Sequence, residues 1–374
     1  MKFVHPSSRA CSVTLRIGIV LLMCLLFVGV ALAAGLTDAS VDDFYRGSGC
    51  YVSQADTGQI AGAVIITPTA GTIFSGTAPD TGWFVTGDSL VSGGNLSANE
   101  GTGGTTATYS AGRDVEFVAT FQGVDSQHGG FALDFFELRW AIFSTRDNGA
   151  QLWARSENST NTEETPLGSG YLGTPHYYRI DWEPTQVIYS IDGLAVATHT
   201  ITIVDMRPLF ADFSGNTNIV LPVNWVRMSD YTPSPCTYTS RIINSGADST
   251  AWSNFTTTVD TPAGTSVSFE VRASNTQNDL INDIEPWTLV TSNSINITGR
   301  YVQYQATLTT TDPLVTPQVL DVSFGGNPLA VTLTSISAAP TTPSGTGWLI
   351  ASLSGAGLLV IIYGHRLVKR RRRI

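Results

Sequence analysis

Apolar and polar residues alternate in short runs through most of this chain, the period-2 mark of strands with one buried face. Residues 114–122 (DVEFVATFQ), 151–158 (QLWARSEN), 176–183 (HYYRIDWE), 186–193 (QVIYSIDG), 195–202 and 221–229 carry it most clearly, with Gly, Pro, Asn and Asp between them. Helical spacing is scarce. The pattern predicts an all-β protein of antiparallel strands, too long between its two ends for one ordinary sandwich. Two β-sandwich domains are therefore expected, over 34–231 and 237–326, parted where Pro233 and Pro235 interrupt the strand pattern. In the second, residues 240–245, 267–274, 300–309 and 319–325 read as strands.

The two ends break the alternation. Lys2, Arg9 and Arg16 precede an apolar run at 17–30, and Ala31-Leu32-Ala33 then offers small residues where a signal peptidase reads. Residues 1–33 are expected to be a signal peptide cleaved after Ala33, the alternative being an uncleaved anchor. Residues 348–364 form a second apolar segment bounded by Trp348 and Tyr363, and the tail 365–374 adds Arg366, Lys369 and Arg370 to Arg373. Aromatic ends and a basic flank predict one transmembrane helix with a cytoplasmic C-terminus and an extracellular ectodomain at the cell membrane. Residues 327–347, rich in Ser, Thr, Ala and Pro, read as an extended stalk.

Charge narrows the partners. Of 20 basic residues nine belong to the two ends, leaving 11 arginines against 30 acids, so the ectodomain carries about 11 − 30 = −19. A surface without lysine and so acidic is a poor match for phosphates, and no nucleic-acid partner is expected. Two of the four cysteines, Cys11 and Cys24, leave with the signal. Cys50 and Cys236 remain, and in an exported chain they are expected to form a disulfide; two separate buried thiols are the alternative.

Residues 178–193 (YRIDWEPTQVIYSIDG) resemble the hairpin of the concanavalin A-like lectin/glucanase superfamily, most closely the laminarinases and lichenases of glycoside hydrolase family 16 and their non-catalytic relatives. Tyr178, Asp181, Trp182, Pro184, Tyr189, Ile191, Asp192 and Gly193 fill that pattern, with Val187 in place of an Ile. Residues 114–122 fit as an earlier strand and 223–228 as the final one. The resemblance implies a jelly roll of two curved antiparallel sheets with a ligand-binding concave face over about 41–230. By their alternation alone, Tyr178, Ile180 and Trp182 share one strand face, and Val187, Tyr189 and Ile191 one face of the next. Inter-sheet core is the preferred reading for these residues. Residues 238–252, 262–272 and 299–317 resemble accessory β-sandwiches of large bacterial surface proteins.

Such retaining glycosidases place two carboxylates about 5 Å apart, and the family draws them from one strand as Glu-x-Asp-x-Glu or a bulged form. In this chain the matching strand is either 139–145 (RWAIFST), without any carboxylate, or 132–137 (ALDFFE), which keeps Asp134 and Glu137 but has Ala132 in the nucleophile's place. Either register leaves the set incomplete, so no catalytic residue is assigned and the domain leans towards non-catalytic. The resemblance leaves a structural calcium open, though Asn224 stands where relatives holding one carry Asp; no other cofactor or metal is assigned. The Asn278, Asp279, Asn282, Asp283 and Glu285 cluster lacks an EF-hand glycine and reads as a solvated loop.

The expected partner is a glycan or cell-surface polysaccharide. With Trp140 and Ile142 placed in the core, Arg139 and Phe143 would face the ligand; with Leu152 and Ala154 inward, so would Trp153 and Arg155. A one-residue slip exchanges the faces. The readings left open are a surface-anchored carbohydrate-binding or adhesion protein, a membrane-anchored β-glycanase, and a purely structural surface module.

Overall fold

The computed structural model describes residues 36–55, 61–146, 148–216, 218–327, 350–352 and 359–361. The expected signal peptide lies outside the described residues, as do positions 328–347 of the stalk. Among the described residues no helix is long and apolar enough to cross a membrane. Of the segment 348–364, six residues are described, and they are extended: Ile350–Ser352 pairs antiparallel with Leu359–Ile361. Gly355 and Gly357 stand between these strands in the sequence, and glycine is the weakest helix former after proline.

Two sandwiches make up the rest. In the first, a seven-stranded front sheet runs in the order Thr162–Gly168, Gln151–Glu157, Trp140–Arg146, Gln127–Ala132, Arg207–Asp212, Gly101–Thr105, Trp83–Val85. An eight-stranded back sheet faces it, centred on Arg113–Ala119, with His176–Trp182 on one side and Leu221–Tyr231 on the other. Phe117, Phe131, Phe143, Tyr178, Trp182 and Tyr189 fill the space between the two sheets. The hairpin aromatics thus lie in the inter-sheet core, and Trp182 donates its indole N–H to the Ile203 carbonyl at 3.1 Å. Asp192 and Gly193 make the tight turn after Val187–Ile191, both with positive φ (51° and 79°), the geometry a two-residue hairpin turn asks for. This is a jelly roll of two antiparallel sheets packed face to face.

The second sandwich begins earlier than its expected boundary. Leu36–Asp38, Tyr51–Gln54 and Gly62–Ile65 belong to its six-stranded sheet, where Leu36–Asp38 pairs with Gln318–Asn327 and Val64 pairs with Val319. Phe44, Val52, Val64, Ile65 and Ile66 enter its core beside Trp252, Tyr304 and Phe324. The first domain of 34–231 is accordingly corrected: the jelly roll starts near Pro68 and is an insertion into the second sandwich. The reason is pairing. Without those N-terminal strands, one long side of Gln318–Asn327 would present unpaired amides and carbonyls.

Cys50 and Cys236 are joined by a disulfide, with Cα atoms 5.7 Å apart. Cys50 adjoins the strand whose partner ends at Ile65, where the chain leaves for the jelly roll, and Cys236 opens the strand Cys236–Thr239, by which it returns. The bridge closes a loop across 186 residues of sequence, so it constrains the unfolded chain strongly. Reduction, or Cys50→Ser, is expected to cost roughly 2–5 kcal/mol of stability, read as a lower denaturant midpoint with an unchanged β-sheet circular dichroism spectrum below the transition.

Candidate ligand-binding face

The face of the front sheet turned away from the core is built by residues alternate to the buried ones. Along Trp140–Arg146, Ala141 and Phe143 point into the inter-sheet core and Trp140 and Ile142 to the outer side, where they pack with Ala132 and Leu209. Cross-strand pairing extends that face: Trp140 lies beside Glu157, Ile142 beside Arg155 and Ser144 beside Trp153. Arg155 lies in turn beside Glu164 on the edge strand.

Phe143 is therefore corrected. It is buried against Tyr178, Tyr189 and Phe117 with ring centroids 4.8, 5.3 and 6.4 Å away. Both alternations of 140–143 are apolar, so the sequence offered two registers, and the larger inward aromatic contact decides between them. Trp153 and Arg155 do stand on the outer face, since Leu152 and Ala154 join the core. Arg139 precedes the strand, in a loop, and pairs with Glu137 at 3.1 Å.

The face combines rings with guanidinium groups. Arg146 lies 5.3 Å over the Trp153 ring, Arg155 5.8 Å over Trp140 and Arg207 5.2 Å over Phe84. Glu164 accepts from Arg146 Nη1 at 2.6 Å and from Arg155 Nε at 2.9 Å. His128 shares a 2.9 Å hydrogen bond with Ser144. Burial, and then the Arg155 charge, push its imidazole down to about 3, so it is neutral at physiological pH. The indole N–H groups of Trp140 and Trp153 are buried and have no acceptor among the described residues. Unpaired buried donors of this kind are costly unless something supplies an oxygen.

The loop 133–139 lies against one part of the face. Its Phe135 packs on the Trp140, Ile142 and Leu209 cluster, and its ring centroid is 5.0 Å from that of His128. Asp134 accepts from the Phe136 and Glu137 amides at 2.7 and 2.6 Å. Both carboxylates of the second expected register, Asp134 and Glu137, are thus in a loop. At the four alternate outward positions of Trp140–Arg146 stand Trp140, Ile142, Ser144 and Arg146. Two acids do share the face, on separate strands: Glu157, bonded by the Thr162 hydroxyl, and Glu164, both of whose oxygens are taken by arginines. Among the described residues no group of three or more His, Cys, Asp or Glu is arranged to hold a metal.

A second concentration of charge, on the back face, was not legible in the sequence. Glu116 accepts from Tyr177 at 2.7 Å, Arg179 at 2.8 Å, Tyr231 at 3.0 Å and the Arg227 Nε. Burial raises its pKa, yet the charges of Arg227 and Arg179 prevail and lower it to about 2. Asp114, two residues away, is 1% exposed and faces Arg179 at 3.3 Å. Burial raises it to about 7, opposed by Arg179 and reinforced by Glu116. Two carboxylates driven apart in this way look like an acid and a base. They are sealed, however, because the second sandwich covers this face: Tyr231 enters that module's core, and Val41 packs beside Val118 and Trp225.

No family model and no curated protein matches the chain. Solved structures do. They include a β-agarase A in complex with oligoagarose, at 12% identity over 44% of this chain and 92% of that one, with a TM-score of 0.37. A Bacillus licheniformis β-glucanase is 17% identical over 42% and 96%, with a TM-score of 0.33. A pseudo β-1,3-glucanase of Mycobacterium tuberculosis is 15% identical over 43% and 98%, with a TM-score of 0.33. At such values the likeness concerns the fold and says nothing of activity.

The Asp114 carboxyl gives a signed pH effect. Its folded pKa lies above the ordinary carboxylate value, so the native state binds its proton more tightly and loses stability as pH rises from about 4 to about 7. Asp114→Asn is expected to raise the melting temperature by a few degrees at pH 8, equivalent to ~1–2 kcal/mol, and to change it little at pH 4.5. Differential scanning calorimetry at the two pH values checks this.

Proposed function

We propose that the outer face of the front sheet binds a glycan and does not hydrolyse it. One observation carries the reading: the four alternate outward positions of the Trp140–Arg146 strand hold Trp140, Ile142, Ser144 and Arg146, and no carboxylate. Retaining hydrolysis needs a nucleophile and an acid/base about 5 Å apart. A sugar needs apolar planes for its C–H faces and directional donors for its hydroxyls. Trp153 offers a partly exposed ring beside Arg146, and the partly exposed Arg155 guanidinium supplies directional donors. Adhesion to a cell-surface polysaccharide suits a chain whose basic and apolar ends carry the marks of export and of retention at a membrane.

Glycan-array binding by the detergent-solubilised chain, beside reducing-sugar release from laminarin and lichenan, tests the reading. Binding without release is expected, and Trp153→Ala should weaken it about tenfold or more. Release that vanishes in Asp134→Asn or Glu137→Gln would establish the glycanase reading instead. For the chain ends, N-terminal sequencing of membrane-extracted protein is expected to begin at Ala34, and truncation before residue 348 to release the protein into the medium.

A further inference from the structure

Glu164 stands out on the proposed glycan face because it occupies two cations at once. Its carboxylate bridges Arg146 and Arg155, one oxygen to each, at 2.6 and 2.9 Å. The other guanidinium groups near the face are engaged as well. Arg155 also donates to the Ser144 hydroxyl at 3.4 Å, Arg207 donates to the Leu133 carbonyl at 3.1 Å, and Arg139 pairs with Glu137 at 3.1 Å. Four of the ectodomain's 11 arginines are thus gathered at one face, and each is paired with an acid or a backbone carbonyl.

Arginine beside an aromatic ring suits carboxylated or sulfated sugars, because its planar fork grips an oxyanion with two parallel bonds. Such a ligand would first have to displace Glu164, leaving a carboxylate unpaired beside the incoming anion. It would also approach a protein surface of about 11 − 30 = −19 charges. Both effects oppose polyanions. A neutral sugar meets neither, since it can stack on the partly exposed Trp153 ring without displacing a charge.

We infer that Glu164 is a selectivity residue, which by holding Arg146 and Arg155 reserves the face for neutral glycans and turns anionic ones away. The inference rests on the proposed glycan-binding function. Glu164 lies on the edge strand Thr162–Gly168, where Gln replaces it with the same shape. The neighbouring Glu163 projects to the opposite side and accepts from the Thr200 amide at 3.1 Å. Glu163→Gln therefore removes an equal charge without releasing either arginine.

Affinity electrophoresis of the detergent-solubilised full chain through gels containing laminarin, lichenan, agarose, κ-carrageenan, alginate or heparin tests this. At least one of the neutral three should retard the wild type, and none of the anionic three. Glu164→Gln and Glu164→Ala should each gain binding to an anionic polymer, at least tenfold tighter than wild type, while Glu163→Gln behaves as wild type. Melting curves of the three variants establish that each is folded. Retardation of the wild type by an anionic polymer, or no gain in either Glu164 variant, would overturn the selectivity role while leaving glycan binding intact. Retardation by none of the six would overturn the glycan reading itself.

Discussion

The packing of Phe143 between the two sheets fixes everything on the front face. Its ring sits within a cage of Phe117, Tyr178 and Tyr189, and strand side chains alternate strictly. With Phe143 inside, Trp140, Ile142 and Ser144 must point out. The pairing that follows brings Glu157, Arg155 and Trp153 up beside them. The opposite choice would expose Arg139, Ala141 and Phe143 and bury a tryptophan in their place. The composition of the candidate site is therefore a consequence of core packing.

The back face is dry for a different reason. The jelly roll is inserted into a second sandwich whose strands come from both sides of it in the chain, and residues of that sandwich pack against the back sheet. Glu116 is tolerated there because four donors surround it, two of them cationic. Burying a carboxylate without such partners costs several kcal/mol. Tyr231 bonds to Glu116 and also packs in the second module's core, so one side chain couples the electrostatics of one sandwich to the packing of the other. On the front sheet, by contrast, Phe135 of the 133–139 loop covers the Trp140, Ile142 and Leu209 cluster, and Trp153, Arg155 and Glu164 beside it stay partly exposed.

The chemistry of that surface is weighted towards rings and cations. Rings and guanidinium groups outnumber acids, and the acids present are already engaged by arginine or threonine. The loop 133–139 adds Phe135, which sits on the apolar cluster around Trp140. Its neighbour Phe136 is 85% exposed. A site assembled in this way can offer stacking planes and hydrogen-bond donors without a proton-transfer pair.

Several features were legible in the sequence because they are local. Alternation marked the strands, Asp192-Gly193 marked a hairpin turn, and the spacing of Tyr178, Ile180 and Trp182 placed them on one buried face. Trp153 and Arg155 were expected outward by the same alternation, with Leu152 and Ala154 as the inward pair, although a large aromatic on the outward side left a one-residue slip open. The strand 140–146 was not legible in this way, since both of its faces begin apolar and periodicity cannot choose between them. Nor could sequence order reveal that residues 36–65 complete the second sandwich, because strand pairing across more than 250 residues leaves no periodic trace. The Glu116 network likewise joins residues from three strands far apart in the chain. Local pattern determined which segments are strands and which side chains alternate together; only the packing of sheet on sheet decided which alternate set faces away from the core.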